Sequence, residues 1–186
     1  MIKKITYQKY FRDISKKINS FDYKKMEILK KKITSLNKNN KIILIGNGGS
    51  ASISSHVAVD FTKILNKRAI CFNEPNLITC FANDYGYENW LKAAIKYYVK
   101  ANDLVVLLSV SGKSENLINA ANFCKKKKIK LITITGAKKN NPLSQKGIIN
   151  YWINSKAYNI VETIQMAILA SIVDRIIGKS EYSSNL

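Results

Sequence analysis

The stretch Ile42-Ile43-Leu44-Ile45, followed directly by Gly46-Asn47-Gly48-Gly49-Ser50, decides the fold. A run of apolar residues without polar alternation is typical of a strand that is buried on both faces of a sheet. The glycine-rich segment predicts a loop, and the residues from about 51 to 65 have a helical pattern. The stretch therefore predicts one strand–loop–helix unit of a parallel α/β sheet.

The same unit recurs along the chain. Apolar runs predict further strands at 68–72, 104–108, 130–136 and, more weakly, 149–153, and helices at about 87–101, 114–125 and 158–178. Strands and helices that alternate at this spacing specify a parallel sheet covered on both faces. We therefore expect an α/β fold with a five-stranded parallel sheet flanked by helices. The two prolines, Pro75 and Pro142, are expected in loops.

The first 40 residues have a different pattern, rich in lysine with apolar residues at helical spacing. The segment Asn19-Ser20-Phe21-Asp22 is a plausible break and helix cap, so this arm is either two helices or one kinked helix. No repeat or linker follows. We expect a single domain over 1–186, with the helical arm at 1–40, the α/β core at 41–178 and a tail at 179–186.

The charge of the chain points to no particular partner. The 186 residues include 31 Lys+Arg against 12 Asp+Glu, a formal net charge of +19. Only Arg12, Arg68 and Arg175 are arginines, and nucleic-acid recognition relies on the bidentate arginine fork. Nucleic acid is therefore kept as a minor hypothesis, and solvated helix faces explain the lysine runs. The hydrophobic fraction of 46% excludes wholesale disorder.

The sequence also bears on the compartment. Cys71, Cys80 and Cys124 lack C-x-x-C spacing, and cysteines of this kind suit a reducing compartment better than a disulfide framework. The N-terminus lacks the long apolar core of a signal peptide, and no stretch is long enough to cross a bilayer. We expect a cytoplasmic protein that has no membrane partner.

Two loops that follow strands are candidate anion sites. In Gly46-Asn47-Gly48-Gly49-Ser50 the glycines let backbone amides approach an anion, although a tight turn capped by Ser50 would look the same. In Ser109-Val110-Ser111-Gly112-Lys113-Ser114 three hydroxyls surround a glycine at a helix start, which suits a phosphate monoester. The alternative there is an ordinary helix cap with two solvated serines. Because the two loops would converge at one edge of the sheet, together they favour a phosphate site.

The only histidine of the chain, His56, precedes Asp60 by four residues on the helix after the glycine loop. This spacing places both side chains on one helix face. It suits a metal pair or an acid/base pair, and it is also the spacing of an ordinary contact on a helix surface.

The glycine loop with His56 and Asp60, the segment Asn83-Asp84-Tyr85-Gly86-Tyr87-Glu88 and the serine loop together resemble a known family. They are similar, in order and spacing, to the phosphoheptose isomerases of the sugar-isomerase (SIS) domain superfamily, over about residues 1–178. The resemblance implies an SIS fold of the doubly wound, flavodoxin-like type. It also implies a homotetramer with active sites between subunits, and the isomerisation of sedoheptulose 7-phosphate to a heptose 7-phosphate for surface polysaccharides.

The resemblance assigns roles to individual residues. The phosphorylated sugar would be held by the glycine loop and the serines, with Asn47 and Asp84 at the sugar end; the phosphate group would contact Gly48, Gly49, Ser50, Ser109, Ser111 and Ser114. Asp60 stands where the family has a catalytic glutamate, so a carboxylate remains with a shorter reach. An aldose–ketose isomerisation needs such a base, together with an acid or cation for the developing oxyanion.

The C-terminal helix departs from the family. Glu162 aligns with the family's glutamine and Ala170 with its catalytic histidine, and Ile64 stands where an arginine is usual. Glu162 or Gln165 would then take a modified catalytic role beside Asp60, or the isomerisation is impaired, or the substrate differs. Zinc is the metal that the resemblance implies; here its ligands would be His56, Asp60 and Glu162.

Two further functions stay open at this point. One is a non-catalytic SIS protein that binds a sugar phosphate or a protein partner, as does a relative in this family that binds the replication initiator. The other is direct nucleic-acid binding through lysines, which requires those lysines to be grouped on one face.

Overall fold

A computed structural model of the chain describes residues 4–181. It begins with two helices, α1 (Tyr7–Asn19) and α2 (Tyr23–Thr34). The break between them lies where the sequence predicts it, because the Asp22 carboxylate accepts a hydrogen bond from the Lys24 amide, 3.0 Å away, and caps α2. Residues 1–3 of the predicted arm and 182–186 of the predicted tail lie outside the described part.

The rest of the chain alternates strands and helices as predicted. The elements are β1 (Lys41–Ile45), α3 (Gly49–Lys63), β2 (Arg68–Cys71), α4 (Pro75–Tyr85), α5 (Trp90–Tyr98), β3 (Leu104–Ser109), α6 (Glu115–Lys126), β4 (Lys130–Thr135), β5 (Ile149–Trp152) and α7 (Tyr158–Ile177). All four strand pairings are parallel and the strand order is β2-β1-β3-β4-β5. This is the flavodoxin-like order of a doubly wound sheet, so the predicted fold class is confirmed.

Each face of the sheet has its own core. Ile42 and Leu44 of β1 belong to a buried cluster with residues of α3 and α7, whereas Ile43 and Ile45 belong to a cluster with residues of α5 and α6. Successive side chains of a strand point to opposite faces, so a strand buried on both sides needs apolar residues at every position. This requirement explains the unbroken Ile42–Ile45 run.

The helical arm covers the domain itself. Leu29 and Ile33 of α2 are fully buried in the cluster that contains α7, and α2 packs directly against α7. Phe11 of α1 remains 63% exposed. Within residues 4–181, no helix is long and apolar enough to span a membrane.

Helix α4 was not expected, and the prediction that Pro75 lies in a loop is wrong. Pro75 is the first residue of α4, where its missing N–H costs no helical hydrogen bond. The Glu74 carboxylate caps the same helix end by accepting from the Leu77 amide at 2.8 Å. Proline here marks a helix start.

The three cysteines are free thiols in three different environments. Cys124 is buried, Cys71 is half-buried and Cys80 is exposed. Burial raises the pKa of the Cys124 thiol to about 12, because the thiolate would lose its hydration. Cys124 therefore behaves as the small buried hydrophobe that the sequence suggests.

Candidate functional site

The candidate site lies where the winding of the sheet reverses. β1 has β2 on one side and β3 on the other, so the loops after β1 and β3 start from adjacent strand ends. In an open parallel sheet the crevice at this reversal is where ligands bind. The loops in question are the glycine loop, residues 46–50, and the serine loop, residues 109–114.

The glycine loop brings the chain tightly into α3. A Cβ atom on Gly46 would lie 2.6 Å from the backbone carbonyl carbon of Ser50, so only glycine fits there. Gly48 caps α3 with a positive φ of 55° and contributes no side chain. The first amides of α3, those of Gly49 and Ser50, have no carbonyl within the helix to bond, which is the usual basis of an anion site at a helix start.

The serine loop presents hydroxyls at the start of α6. Ser109 Oγ accepts a hydrogen bond from the Gly112 amide at 3.0 Å, and Ser111 Oγ accepts one from the Lys113 amide at 3.2 Å. Ser114 is the N-cap residue of α6, and its side chain makes no capping bond. A hydroxyl that accepts from the backbone still has its own hydrogen to donate, so all three serines can donate to a ligand oxygen.

An amide pair fastens the glycine loop to the first turn of α6, the helix that follows the serine loop. Asn47 Nδ2 donates to Asn116 Oδ1 and Asn116 Nδ2 donates back to Asn47 Oδ1, each at 3.0 Å. Asn116 lies in the first turn of α6 and is 2% exposed. Sequence reasoning missed Asn116, because an asparagine inside a helix belongs to no motif and its partner is 69 residues away.

Ser50 faces the interior of the domain. Its hydroxyl donates to Gln165 Oε1 at 2.8 Å, and Gln165 Nε2 donates to the Ile134 carbonyl at 3.2 Å. Ser50 is 2% exposed and Gln165 is fully buried. This chain of bonds joins the glycine loop to α7 and β4, and it engages the hydroxyl hydrogen that Ser50 would need for a phosphate.

Glu162 reaches the glycine loop from α7. Its carboxylate lies so close to Gly49 that a Cβ atom on Gly49 would be 2.6 Å from Glu162 Oε1. Glu162 is half-buried, and it takes part in no ion pair within residues 4–181. Of the three predicted catalytic side chains, Glu162 is the one whose charged group meets the loops.

His56 and Asp60 form a separate pair farther along α3. His56 Nε2 lies 3.3 Å from Asp60 Oδ2, and the histidine side chain is 59% exposed. Asp60 lies 60 − 49 = 11 residues after Gly49, which at about 1.5 Å per residue is about 16 Å along the helix axis. The pair therefore stands well away from the glycine loop of its own chain.

The described residues do not assemble the predicted zinc ligands. No group of three or more His, Cys, Asp and Glu side chains that could hold a metal is found between residues 4 and 181. Glu162 lies against the start of α3, whereas His56 lies at the middle of α3 and Asp60 one turn farther on. Two ligands are too few for a tetrahedral zinc site, so the donor set of one chain does not fit this metal.

Asp84 is exposed in the last turn of α4. Its carboxylate oxygens accept from Asn83 Nδ2 at 3.0 Å and from Cys80 Sγ at 3.8 Å, both on the same helix. These contacts leave the carboxylate open to solvent.

Comparison with known proteins shows which family the chain belongs to. The SIS domain family model matches residues 6–136, which cover most of the helical arm, both loops and β4. The chain belongs to the SIS domain family.

Within that family, the SIS domain described above is similar to curated proteins named phosphoheptose isomerase. It is 35% identical to the one from Thermodesulfovibrio yellowstonii over 117 residues, which are 60% of this chain and 58% of that protein. It is 33% identical to the one from Fusobacterium nucleatum over 144 residues, 74% of this chain and 73% of that protein. The first alignment thus spans little more than half of the relative.

The fold match extends over nearly the whole SIS domain. A solved phosphoheptose isomerase from Francisella tularensis superposes with a TM-score of 0.81, covering 93% of this chain and 95% of that one at 22% identity. This likeness includes the fold of the helical arm as well as the sheet.

In this SIS domain the predicted site residues fall into two groups. The loop group, around the ends of β1 and β3, contains Asn47, Gly48, Gly49 and the serines, and α7 adds Glu162 and Gln165 to it. The second group is the His56–Asp60 pair on α3. A reaction that needs both groups has to bring them together from more than one chain.

Proposed function

We propose that this SIS domain is a sugar-phosphate isomerase that interconverts a ketose phosphate of the sedoheptulose 7-phosphate type and the corresponding aldose phosphate. The observation that carries the proposal is the pair of loops at the strand reversal, joined by Asn47 and Asn116 and met by the Glu162 carboxylate. The names of the curated relatives support the same reaction. The aldose phosphate would serve as a precursor for surface polysaccharide synthesis in the cytoplasm.

The loops would hold the phosphate group. The amides at the start of α3 and the hydroxyls of Ser109, Ser111 and Ser114 offer several donors to one anion, and two helix N-termini add their dipoles. These donors carry no full charge, so a bound phosphate can be released after each turnover. Ser50 contributes through its backbone amide, and its side chain, held by Gln165, fixes the loop.

Two carboxylates would move the protons. An enediol path requires a base that takes a proton from one carbon and delivers it to the next, and a donor that stabilises the adjacent oxyanion. Glu162 is positioned for one of these tasks because it already meets the glycine loop. Asp60, paired with His56, would supply the other from a second copy of the chain, as a homotetramer with active sites between subunits would allow.

Gln165 would act as a positioning residue. Its amide group is consumed by Ser50 and the Ile134 carbonyl, and it has no exposed surface through which to meet a substrate. The described residues of one chain do not supply the ligands of a zinc site, and the proposal assigns no step to a metal.

The test is turnover by the purified protein. We expect sedoheptulose 7-phosphate to be isomerised, and Asp60→Asn and Glu162→Gln each to lower kcat by about a hundredfold, the usual scale for loss of a proton-transfer group. Asp13→Asn on α1, which also removes a half-buried carboxylate, is the matched control and should retain full activity.

The proposal fails if seven-carbon and five-carbon ketose phosphates are bound but not converted, with or without added zinc. That result would identify a sugar-phosphate-binding protein.

A further inference from the structure

A large open cavity with several polar side chains in its lining lies at the opposite edge of the sheet from β2. It has a volume of about 640 Å³ and is bordered by the α1–α2 turn, the loop after β4 and the edge strand β5. None of its lining residues belongs to the glycine loop or the serine loop. β5 is two strands from β3, about 10 Å across the sheet, so this cavity is separate from the candidate isomerase site.

The side of the cavity formed by the loop after β4 is held by hydrogen bonds inside that loop. The Asn141 amide donates to the carbonyls of Gly136, at 3.2 Å, and Lys138, at 2.9 Å, while its oxygen accepts from the Ser144 amide at 2.9 Å. Trp152 Nε1 donates to the Ala137 carbonyl at 3.2 Å, which fixes the plane of the indole ring. This wall is therefore formed before any ligand arrives, as is usual for small-molecule sites.

The facing side belongs to the helical arm, which is tied to β5. The Tyr151 hydroxyl donates to the Lys25 carbonyl, and Lys17 Nζ donates to the Asn154 carbonyl at 2.6 Å. Burial raises the pKa of Tyr151, so this hydroxyl stays protonated and keeps donating throughout the neutral range. Both sides of the cavity are thus held in place independently.

The charges in the cavity favour an anion. Lys25 and Lys139 both line it, and neither is ion-paired anywhere in residues 4–181. The one lining carboxylate, Asp22, is engaged in capping α2 through the Lys24 amide. A phosphate group that entered here would be attracted by the positive charges of both lysines.

The remaining lining groups favour a sugar. Trp152 is half-buried and offers an apolar ring, with Lys139 Nζ 5.9 Å from the ring centroid. Asn150 Oδ1 accepts from the hydroxyls of Thr133 and Thr135, so its Nδ2 hydrogens remain as donors. Side-chain amides of Asn140, Gln145 and Asn154 add further donors and acceptors for hydroxyl groups.

We propose that this cavity is a second ligand site, which binds a phosphorylated sugar with its phosphate between Lys25 and Lys139 and its sugar ring against Trp152. The site goes beyond the proposed isomerase function and does not depend on it. Two kinds of molecule carry these groups, a free sugar phosphate and a nucleoside diphosphate sugar, and the test distinguishes them.

The fluorescence of Trp152 reports on the site once the other tryptophan is removed. Trp90 is 3% exposed and its Nε1 has no hydrogen-bond partner in the described chain, so Trp90→Phe removes an unsatisfied donor and should fold normally. In this background we would titrate sedoheptulose 7-phosphate and GDP-mannose separately, with inorganic phosphate and mannose as controls. We expect a saturable change in Trp152 emission with one of the two phosphorylated sugars. No change with either up to about 5 mM would overturn the proposal.

Variants show whether the signal comes from this cavity. Lys25→Ala combined with Lys139→Ala should weaken binding at least about tenfold, because both phosphate partners are lost. Lys92→Ala combined with Lys126→Ala removes the same charge from the other face of the sheet and should leave binding unchanged.

Ser111→Ala combined with Ser114→Ala tests for crosstalk from the isomerase site. This double variant should leave the Trp152 fluorescence change intact, even if it lowers isomerase turnover. Loss of the signal in this serine variant, or full binding by the Lys25 and Lys139 variant, would overturn the proposal.

Discussion

Two glycines of the first loop face very different neighbours. A Cβ atom on Gly46 would meet the backbone of Ser50, which cannot move without unwinding the start of α3. A Cβ atom on Gly49 would meet the end of the Glu162 side chain, which can rotate away. The close approach at Gly46 therefore constrains the backbone, whereas the close approach at Gly49 constrains the position of the Glu162 carboxylate.

This contrast predicts opposite effects of two alanine substitutions. Gly46→Ala should cost roughly 2 kcal/mol of unfolding free energy, because the new methyl group overpacks against backbone. Gly49→Ala should cost below about 1 kcal/mol but lower kcat about tenfold, since it displaces Glu162 from the loop. Urea denaturation and initial rates measure the two effects.

The control for Gly49→Ala is the same change in a Glu162→Ala background. There it should have little further effect on kcat, because the group that it displaces is already gone. An equal extra loss in both backgrounds would contradict the role of Glu162.

At this scale the sequence identifies the residues of each loop but not their partners. Asn47 and Ser50 stand in a recognisable motif, whereas Asn116 and Gln165 come to them from 69 and 115 residues away. The inward turn of Ser50 depends on those partners, so no local pattern could predict it. The glycine loop and the serine loop are local features that the sequence predicts, whereas the hydrogen bonds that hold them join residues far apart in the chain.

At the scale of elements, the strands were predictable because burial on both faces forces unbroken apolar runs. Assigning Pro75 to a loop hides helix α4, although Glu74-Pro75 is a favourable cap and first turn. The distance between the loops and Asp60 was in fact available from the sequence, since helical rise alone separates positions 49 and 60.

The amide pair between Asn47 and Asn116 predicts that the β1 loop and α6 depend on each other. Asn116→Ala removes both bonds and leaves the Asn47 amide without its partner, at an expected cost of about 1–3 kcal/mol in stability. We also expect KM for the sugar phosphate to rise about tenfold, since the two loops of the proposed phosphate site would no longer be aligned. Chemical denaturation and steady-state kinetics measure these changes.

Asn122→Ala, at an exposed position of the same helix, serves as the matched control and should change neither quantity. A destabilised Asn116→Ala with an unchanged KM would mean that the pair supports the fold but does not position the loops.

At the scale of the whole molecule, the separation of Asp60 from the loops predicts complementation between chains. Asp60→Asn retains intact loops, and a Ser111→Ala, Ser114→Ala variant retains Asp60, so each alone should have strongly reduced activity if both groups are needed. When the two are unfolded together and refolded as an equal mixture, random pairing should restore about a quarter of the sites.

The measurement is the specific activity of the refolded mixture against each variant refolded alone. A mixture that stays inactive while the wild-type chain recovers under the same conditions would show that each chain builds its site alone.

The length of α3 between Gly49 and Asp60 also bears on how activity responds to dilution. On the proposed arrangement each chain carries only half of a reaction centre, so activity depends on the protein concentration. Specific activity should then fall as the protein is diluted while the circular dichroism spectrum stays constant. A cell that makes too little of this chain would hold folded protein and no catalyst.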